Sequence, residues 1–106
     1  MDLLRGTLDM LILRTLQAGP AHGFAIAQSI ERRSDGVLLV EEGPLYPALR
    51  RLEDRDLITF AWGTTTNQRR ARFYSLTPRG HRHLAAESTR WTELVAAIAR
   101  VRETTS

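Results

Sequence analysis

The chain has 106 residues, of which 42% are hydrophobic and 25% charged, with a net charge of +3 and no cysteine. This gives room for one domain with a modest core, which a partner would help to stabilise, and a composition typical of folding chains rather than disordered ones. The lack of cysteine excludes disulfides and thiolate zinc sites, and the lack of a long apolar run or a secretion leader predicts a cytoplasmic protein with no membrane partner.

The opening stretch "DLLRGTLDMLILRTLQAG" places Leu4, Leu8, Leu11, Ile12 and Leu16 at helical spacing and stops at Gly19-Pro20. Leu3, Met10 and Leu13 lie off that stripe, so the first helix is apolar over much of its circumference. Such a helix should be covered on several sides, a first hint of a partner. A second helix is expected in "HGFAIAQSIERRSDG", with Phe24, Ala27 and Ile30 on one stripe, Ile26 beside it, and His22 capping or packing at its start. It ends at the turn signal Ser34-Asp35-Gly36. "VLLV", residues 37–40, has the length and β-branched content of a short strand.

A third helix follows in "EEGPLYPALRRLED", where Leu45, Ala48, Leu49 and Leu52 repeat at i, i+3, i+4 and i+7. The other side carries Gly43, Tyr46, Pro47, Arg50, Arg51 and Asp54. Pro44 is expected at the first helical position and Pro47 about one turn in, where prolines cost few hydrogen bonds and stiffen the helix entrance. The basic excess begins here: net charge is −2 over residues 1–42, +3 over 43–76 and +2 over 77–106.

"LITFAW" and "ARFYSL" read as the two strands of a hairpin, joined by the polar "GTTTNQRR", which suggests a flexible tip. Alternation along the second strand puts Arg70 and Arg72 on one face. In "LTPRG", Thr77 is the expected N-cap and Pro78 the first helical residue of a last helix reaching about residue 102, with "RETTS" as a frayed tail. Leu84, Trp91 and Ile98 recur every seven residues there, with Leu94, Val95 and Val101 alongside, which is the pattern of a helix-pairing seam.

The predicted fold is mainly α with a small β-hairpin: a winged helix-turn-helix over residues 1–76, followed by a dimerisation helix over 77–106. Within that order, "LLRGTLDMLIL", "HGFAIA", "GPLYPALRRLEDRDLI" and "YSLTPRG" together resemble the PadR-like transcriptional regulators over nearly the whole chain. The resemblance implies a homodimeric repressor of an inverted-repeat operator, dimerising through its last helix and a contribution from the first. Asp56 stands where the family often has glycine, and Pro44 where a small or hydroxyl residue is common; aspartate tolerates the left-handed backbone that a helix exit needs.

Candidate DNA-contacting residues are therefore Tyr46, Pro47, Arg50 and Arg51 on the third helix and Arg69, Arg70 and Arg72 on the wing. Arginine pairs bidentately with guanine in the major groove, whereas wing arginines along the sugar-phosphate backbone add affinity with little sequence preference. Leu8, Leu84, Trp91, Leu94, Val95 and Ile98 are the candidate dimer-interface residues. Trp91 has two readings: an interface core residue, or, as the resemblance implies for some members, a platform on which a small flat aromatic effector stacks. His81 and His83 diverge on their helix and His22 is isolated, so no metal site is expected. Nor is any catalytic motif or cofactor. The rival reading is a ligand-binding or protein-interaction module that retains the fold without binding DNA.

Overall fold

A computed structural model describes residues 5–103; the expectations for Leu3, Leu4 and residues 104–106 lie outside the described residues. The elements run α1 (Arg5–Leu16), α2 (Gly23–Arg33), α3 (Glu42–Asp54), β1 (Ile58–Thr64), β2 (Arg70–Leu76) and α4 (Pro78–Glu103). The chain is thus mostly helical with one antiparallel hairpin, as expected.

α1 lies at the centre. Leu8, Ile12, Leu13 and Leu16 are buried, and α2, α3, α4 and β2 all pack around the helix. Met10 and Leu11 also pack against the core. The broad apolar surface of α1 is therefore covered largely by its own chain, which corrects the sequence-based inference that it asks for a partner. Leu8, expected at a dimer interface, is only 2% exposed within one protomer and is a core residue.

α2 buries Gly23, Ile26 and Ile30 rather than the expected stripe through Phe24, and Phe24 is 65% exposed. Positions 23, 26 and 30 share a helical face, but glycine adds no apolar signal to the pattern, so the sequence stripe was centred off the true one. His22 caps this helix as expected, its Nδ1 accepting from the Ala25 N–H at 3.3 Å.

Both α2 and α3 end in the same backbone motif. After α2, Asp35 has φ 53° and the Gly36 N–H returns to the Glu31 carbonyl at 2.8 Å. After α3, Asp56 has φ 58°, its N–H bonds Glu53 at 2.9 Å, and the Leu57 N–H bonds Leu52 at 3.0 Å. These are Schellman closures, in which a left-handed residue reverses the chain and satisfies the last carbonyls. Asp56 takes the position where glycine is the usual choice, and Leu57 is delivered into the core, 1% exposed.

No strand forms at 37–40. Leu38 and Val40 pack against the core while Val37 and Leu39 are exposed, so side chains alternate, but the Val37 and Leu38 N–H groups bond back to Ser34 rather than to another strand. Pairing instead comes from Ala21, between α1 and α2: its N–H and carbonyl exchange bonds with Tyr74 at 3.1 and 2.9 Å. β2 thus lies between β1 and this single-residue bridge.

β1 and β2 pair in register from Ile58↔Leu76 to Thr64↔Arg70. One face carries Ile58, Phe60 and Trp62 with Arg70, Arg72 and Tyr74; its inner end is core, with Ile58 and Tyr74 buried. The tip is closed rather than loose: Thr65 and Arg69 bond across it at 2.8 Å, Gln68 returns to Thr65 at 2.9 Å, and the Thr65 hydroxyl accepts from the Arg69 N–H at 3.2 Å. Gln68 takes the left-handed position, φ 65°, that such a loop requires.

Thr77 caps α4, its hydroxyl accepting from the Gly80 N–H at 2.9 Å and donating to the Asp56 carbonyl at 2.6 Å. The last helix is thereby latched to the exit of α3. Gly80 sits directly on the Leu57 carbonyl, where a β-carbon would overlap it. Leu84 is 2% exposed in the core, so it too is withdrawn from the expected interface, and the packing passes across the expected 76/77 division. Beyond it the helix projects, giving the molecule a long dimension of 57 Å.

Candidate nucleic-acid interface

The candidate interface is built on the entrance of α3. The helix begins at Glu42, two residues before the expected start, with Glu41 extended at φ −86° and making no side-chain cap. Its first intrahelical bond is from the Leu45 N–H to the Glu41 carbonyl, at 3.2 Å. Pro44 is therefore the third helical residue, where the N–H is unpaired in any helix, so proline marks the first turn without fixing its start. Pro47 lies inside the helix and gives up one bond.

Leu45, Ala48, Leu49 and Leu52 are all buried, as the stripe predicted. At about 100° per residue, the direction opposite that stripe is occupied by Gly43, Pro47, Arg50 and Asp54. Arg50 is almost free: its Nε is 4.0 Å from Asp54 Oδ1 and its side chain is 81% exposed. An exposed pair at that distance holds neither group.

Tyr46 and Arg51 flank this face on opposite sides. Tyr46 leans toward α2, its ring so close over Gly23 that a β-carbon there would stand 3.3 Å from Cε1 and from the hydroxyl. Glycine at 23 is what lets the ring lie down, and Tyr46 remains half exposed. Arg51 turns toward α1 and grips Asp9, Nη2 to Oδ1 at 2.7 Å and Nε to Oδ2 at 3.5 Å. The sequence grouped Arg51 with the outward residues, but its guanidinium is spent on joining α3 to α1.

The wing supplies the second half. Arg69, Arg70 and Arg72 are exposed, and no acidic residue occurs from Leu57 to Leu76. Among the described residues none of the three takes part in a salt bridge. Arg70 lies over the Trp62 ring at 4.3 Å, and Arg72 over Phe60 at 4.6 Å and Trp62 at 5.4 Å. Deeper on the same face, burial pushes the Tyr74 phenol above its usual pKa, the Glu53 carboxylate adds to the rise, and the Arg72 guanidinium partly offsets both.

Between the two halves runs an open groove of about 960 Å³, with His22, Phe24 and Tyr46 on one wall and Arg69, Arg70 and Arg72 on the other. Among the described residues Glu42 is the one carboxylate lining it. The groove thus brings Tyr46 together with all three wing arginines, while Arg50 lies on the adjoining outward face. Phe24 lines the groove and Trp62 lies under Arg70 and Arg72, neither of them among the expected contact residues. Trp62 was legible from strand alternation, since it shares a face with Phe60 and pairs directly with Arg72.

Of the expected interface residues, Trp91, Leu94, Val95 and Ile98 lie on the projecting half of α4, between 36 and 53% exposed, and Val101 continues the row at 75%. Among the described residues no three His, Asp or Glu side chains converge as a metal site, and no helix is long and apolar enough to cross a membrane.

Known proteins share this fold. A transcriptional regulator from Clostridium thermocellum is 29% identical, with 91% of this chain and 90% of that one covered and a TM-score of 0.80. A PadR-family transcriptional regulator from Eggerthella lenta is 33% identical, with coverage of 95% and 86% and a TM-score of 0.75. An uncharacterised protein of Lysinibacillus sphaericus is 29% identical over 97 residues, 92% of this chain and 89% of that protein. The model of the PadR-like transcriptional regulators matches residues 12–86, a span that contains the helix-turn-helix, the wing and the start of α4. The chain belongs to the PadR-like family of transcriptional regulators, non-enzymatic proteins that act by binding DNA.

Proposed function

We propose that two copies of the chain form a repressor that reads an inverted repeat. In this reading the outward face of α3 enters the major groove, where Arg50 pairs with a guanine and Tyr46 and Pro47 border the contact. Arg69, Arg70 and Arg72 neutralise the phosphates of the strand that runs along the groove. Arg51 is left out, because Asp9 holds it.

One observation carries the DNA contact: three arginines with no carboxylate partner among the described residues share a groove with the entrance of α3. Dimerisation is supported by the apolar row from Trp91 to Val101, which the protomer leaves exposed. Burial of each half-exposed side chain of that row against a second copy is worth about 1 kcal/mol. Pairing through the last helices would set two reading heads on half-sites about one helical turn apart. The repressor role follows the family resemblance, and a flat aromatic effector stacking on Trp91 would relieve repression by changing the angle between those helices.

The test is selection of duplexes from a random pool by the purified chain, combined with sedimentation at micromolar concentration. A palindromic consensus bound by a dimer supports the reading. A monomer, or a pool that returns no enrichment, overturns it.

A further inference from the structure

We infer that Trp62 is a positioning residue of the wing, holding Arg70 and Arg72 in an extended, charge-forward arrangement before any nucleic acid arrives. The inference rests on the DNA contact proposed above and adds to it how the wing is prepared.

The hairpin has no carboxylate with which to orient its arginines. A free arginine loses much rotamer freedom when a phosphate fixes it, a loss that weakens binding. Here the aromatic column takes up part of that ordering in advance. Tyr74 is buried at the base, Phe60 lies 6.1 Å from it, and Trp62 meets Phe60 edge to face at 5.8 Å. The column is thus anchored in the core at one end. At its outer end Trp62 remains 52% exposed, with Arg70 4.3 Å above its ring and Arg72 between the rings of Trp62 and Phe60.

Cross-strand pairing accounts for the geometry: Trp62 stands opposite Arg72, and Arg70 is the diagonal neighbour on the same face. A guanidinium lying on an aromatic face keeps its full charge, unlike one paired with a carboxylate. The wing therefore gains order without losing attraction for phosphate. A ring at residue 62 is the requirement, and its indole nitrogen is not.

The test compares the wild type, Trp62→Ala, Trp62→Phe and Arg70→Ala/Arg72→Ala, with and without Trp62→Ala, for binding to a selected duplex. Trp62→Ala should weaken binding roughly fivefold, about the cost of ordering one rotamer-rich side chain on binding. Trp62→Phe should restore most of that loss, and in the Arg70→Ala/Arg72→Ala background Trp62→Ala should have no effect. A loss that persists in that background overturns the inference, since it would come from the fold or from a direct contact. Retention of full affinity by Trp62→Ala overturns it as well, while leaving the DNA-binding reading intact if Arg70→Ala/Arg72→Ala still weakens binding. Without DNA, the Nε–H resonance of Arg70 should carry a ring-current shift that Trp62→Ala removes and Trp62→Phe keeps, while Arg72, nearer to Phe60, should keep much of its own. An Arg70 shift unchanged by Trp62→Ala contradicts the proposed stacking.

Discussion

Arg51 and Asp9 join α3 to α1 through a two-pronged contact of 2.7 and 3.5 Å, with side chains only 27 and 16% exposed. A partly buried pair of this kind is costly to break from one side, because the remaining charge keeps its desolvation penalty and loses its partner. Arg51→Ala or Asp9→Asn should each lower stability by about 2 kcal/mol in urea unfolding, with the double variant less destabilised than the sum of the two. Arg50→Ala, one residue away on the exposed face, should change stability by less than about 0.5 kcal/mol.

Gly80 is predicted to be intolerant of any side chain. Its Cα faces the Leu57 carbonyl, and neither the helix nor the buried strand start behind it is a flexible side chain that could give way. Gly80→Ala should cost around 3 kcal/mol, the upper end of the overpacking range, despite the better helix propensity of alanine. Thermal unfolding of the variant checks this, with Gly6→Ala, where nothing lies within 4 Å, as the benign control.

Asp56 offers the opposite case. Its φ of 58° costs an L-residue energy that glycine does not pay, and among the described residues no side-chain bond of its carboxylate offsets that. Asp56→Gly should stabilise the chain by about 0.5–1 kcal/mol in urea unfolding, since the bond that Thr77 makes is to the residue 56 carbonyl and survives the change.

Tyr74 sets an alkaline limit. Its phenol is raised in the folded state, so the folded chain holds that proton more tightly than the unfolded one. The stabilisation is fully present below pH about 10 and is lost as pH rises through the higher folded value. The chain has no lysine or cysteine, so tyrosine ionisation is the main side-chain titration between about pH 9 and 11.5. Urea midpoints measured across that window should fall for the wild type and fall less for Tyr74→Phe.

Local signals were legible where they fix local structure. The α3 stripe, both strands, the His22 cap and the Thr77 cap follow from spacing and side-chain chemistry, and each is as expected in the folded chain. What sequence patterns could not supply is the identity of the neighbour. A seven-residue repeat puts Leu84 and Trp91 on one face, yet α1 and the sheet cover the first while the second stands clear. Likewise "VLLV" alternates as a strand should, but strand formation needs a partner edge, and the Val37 and Leu38 N–H groups bond back to Ser34 while Ala21 bridges to Tyr74. Arg51 looked like Arg50 because its partner lies 42 residues earlier.

In the proposed complex labour is divided, with α3 choosing the sequence and the wing supplying affinity. Fluorescence anisotropy on a selected duplex and a scrambled one, across a salt series, tests it directly for the wild type, Arg50→Ala and Arg70→Ala. Arg50→Ala should weaken the selected duplex by about tenfold or more and leave the scrambled one nearly unchanged. Arg70→Ala should weaken both alike and reduce the slope of log K against log salt by about 0.9. Equal losses on both duplexes from both variants, or a wild type that ignores DNA in dilute buffer, would contradict the account.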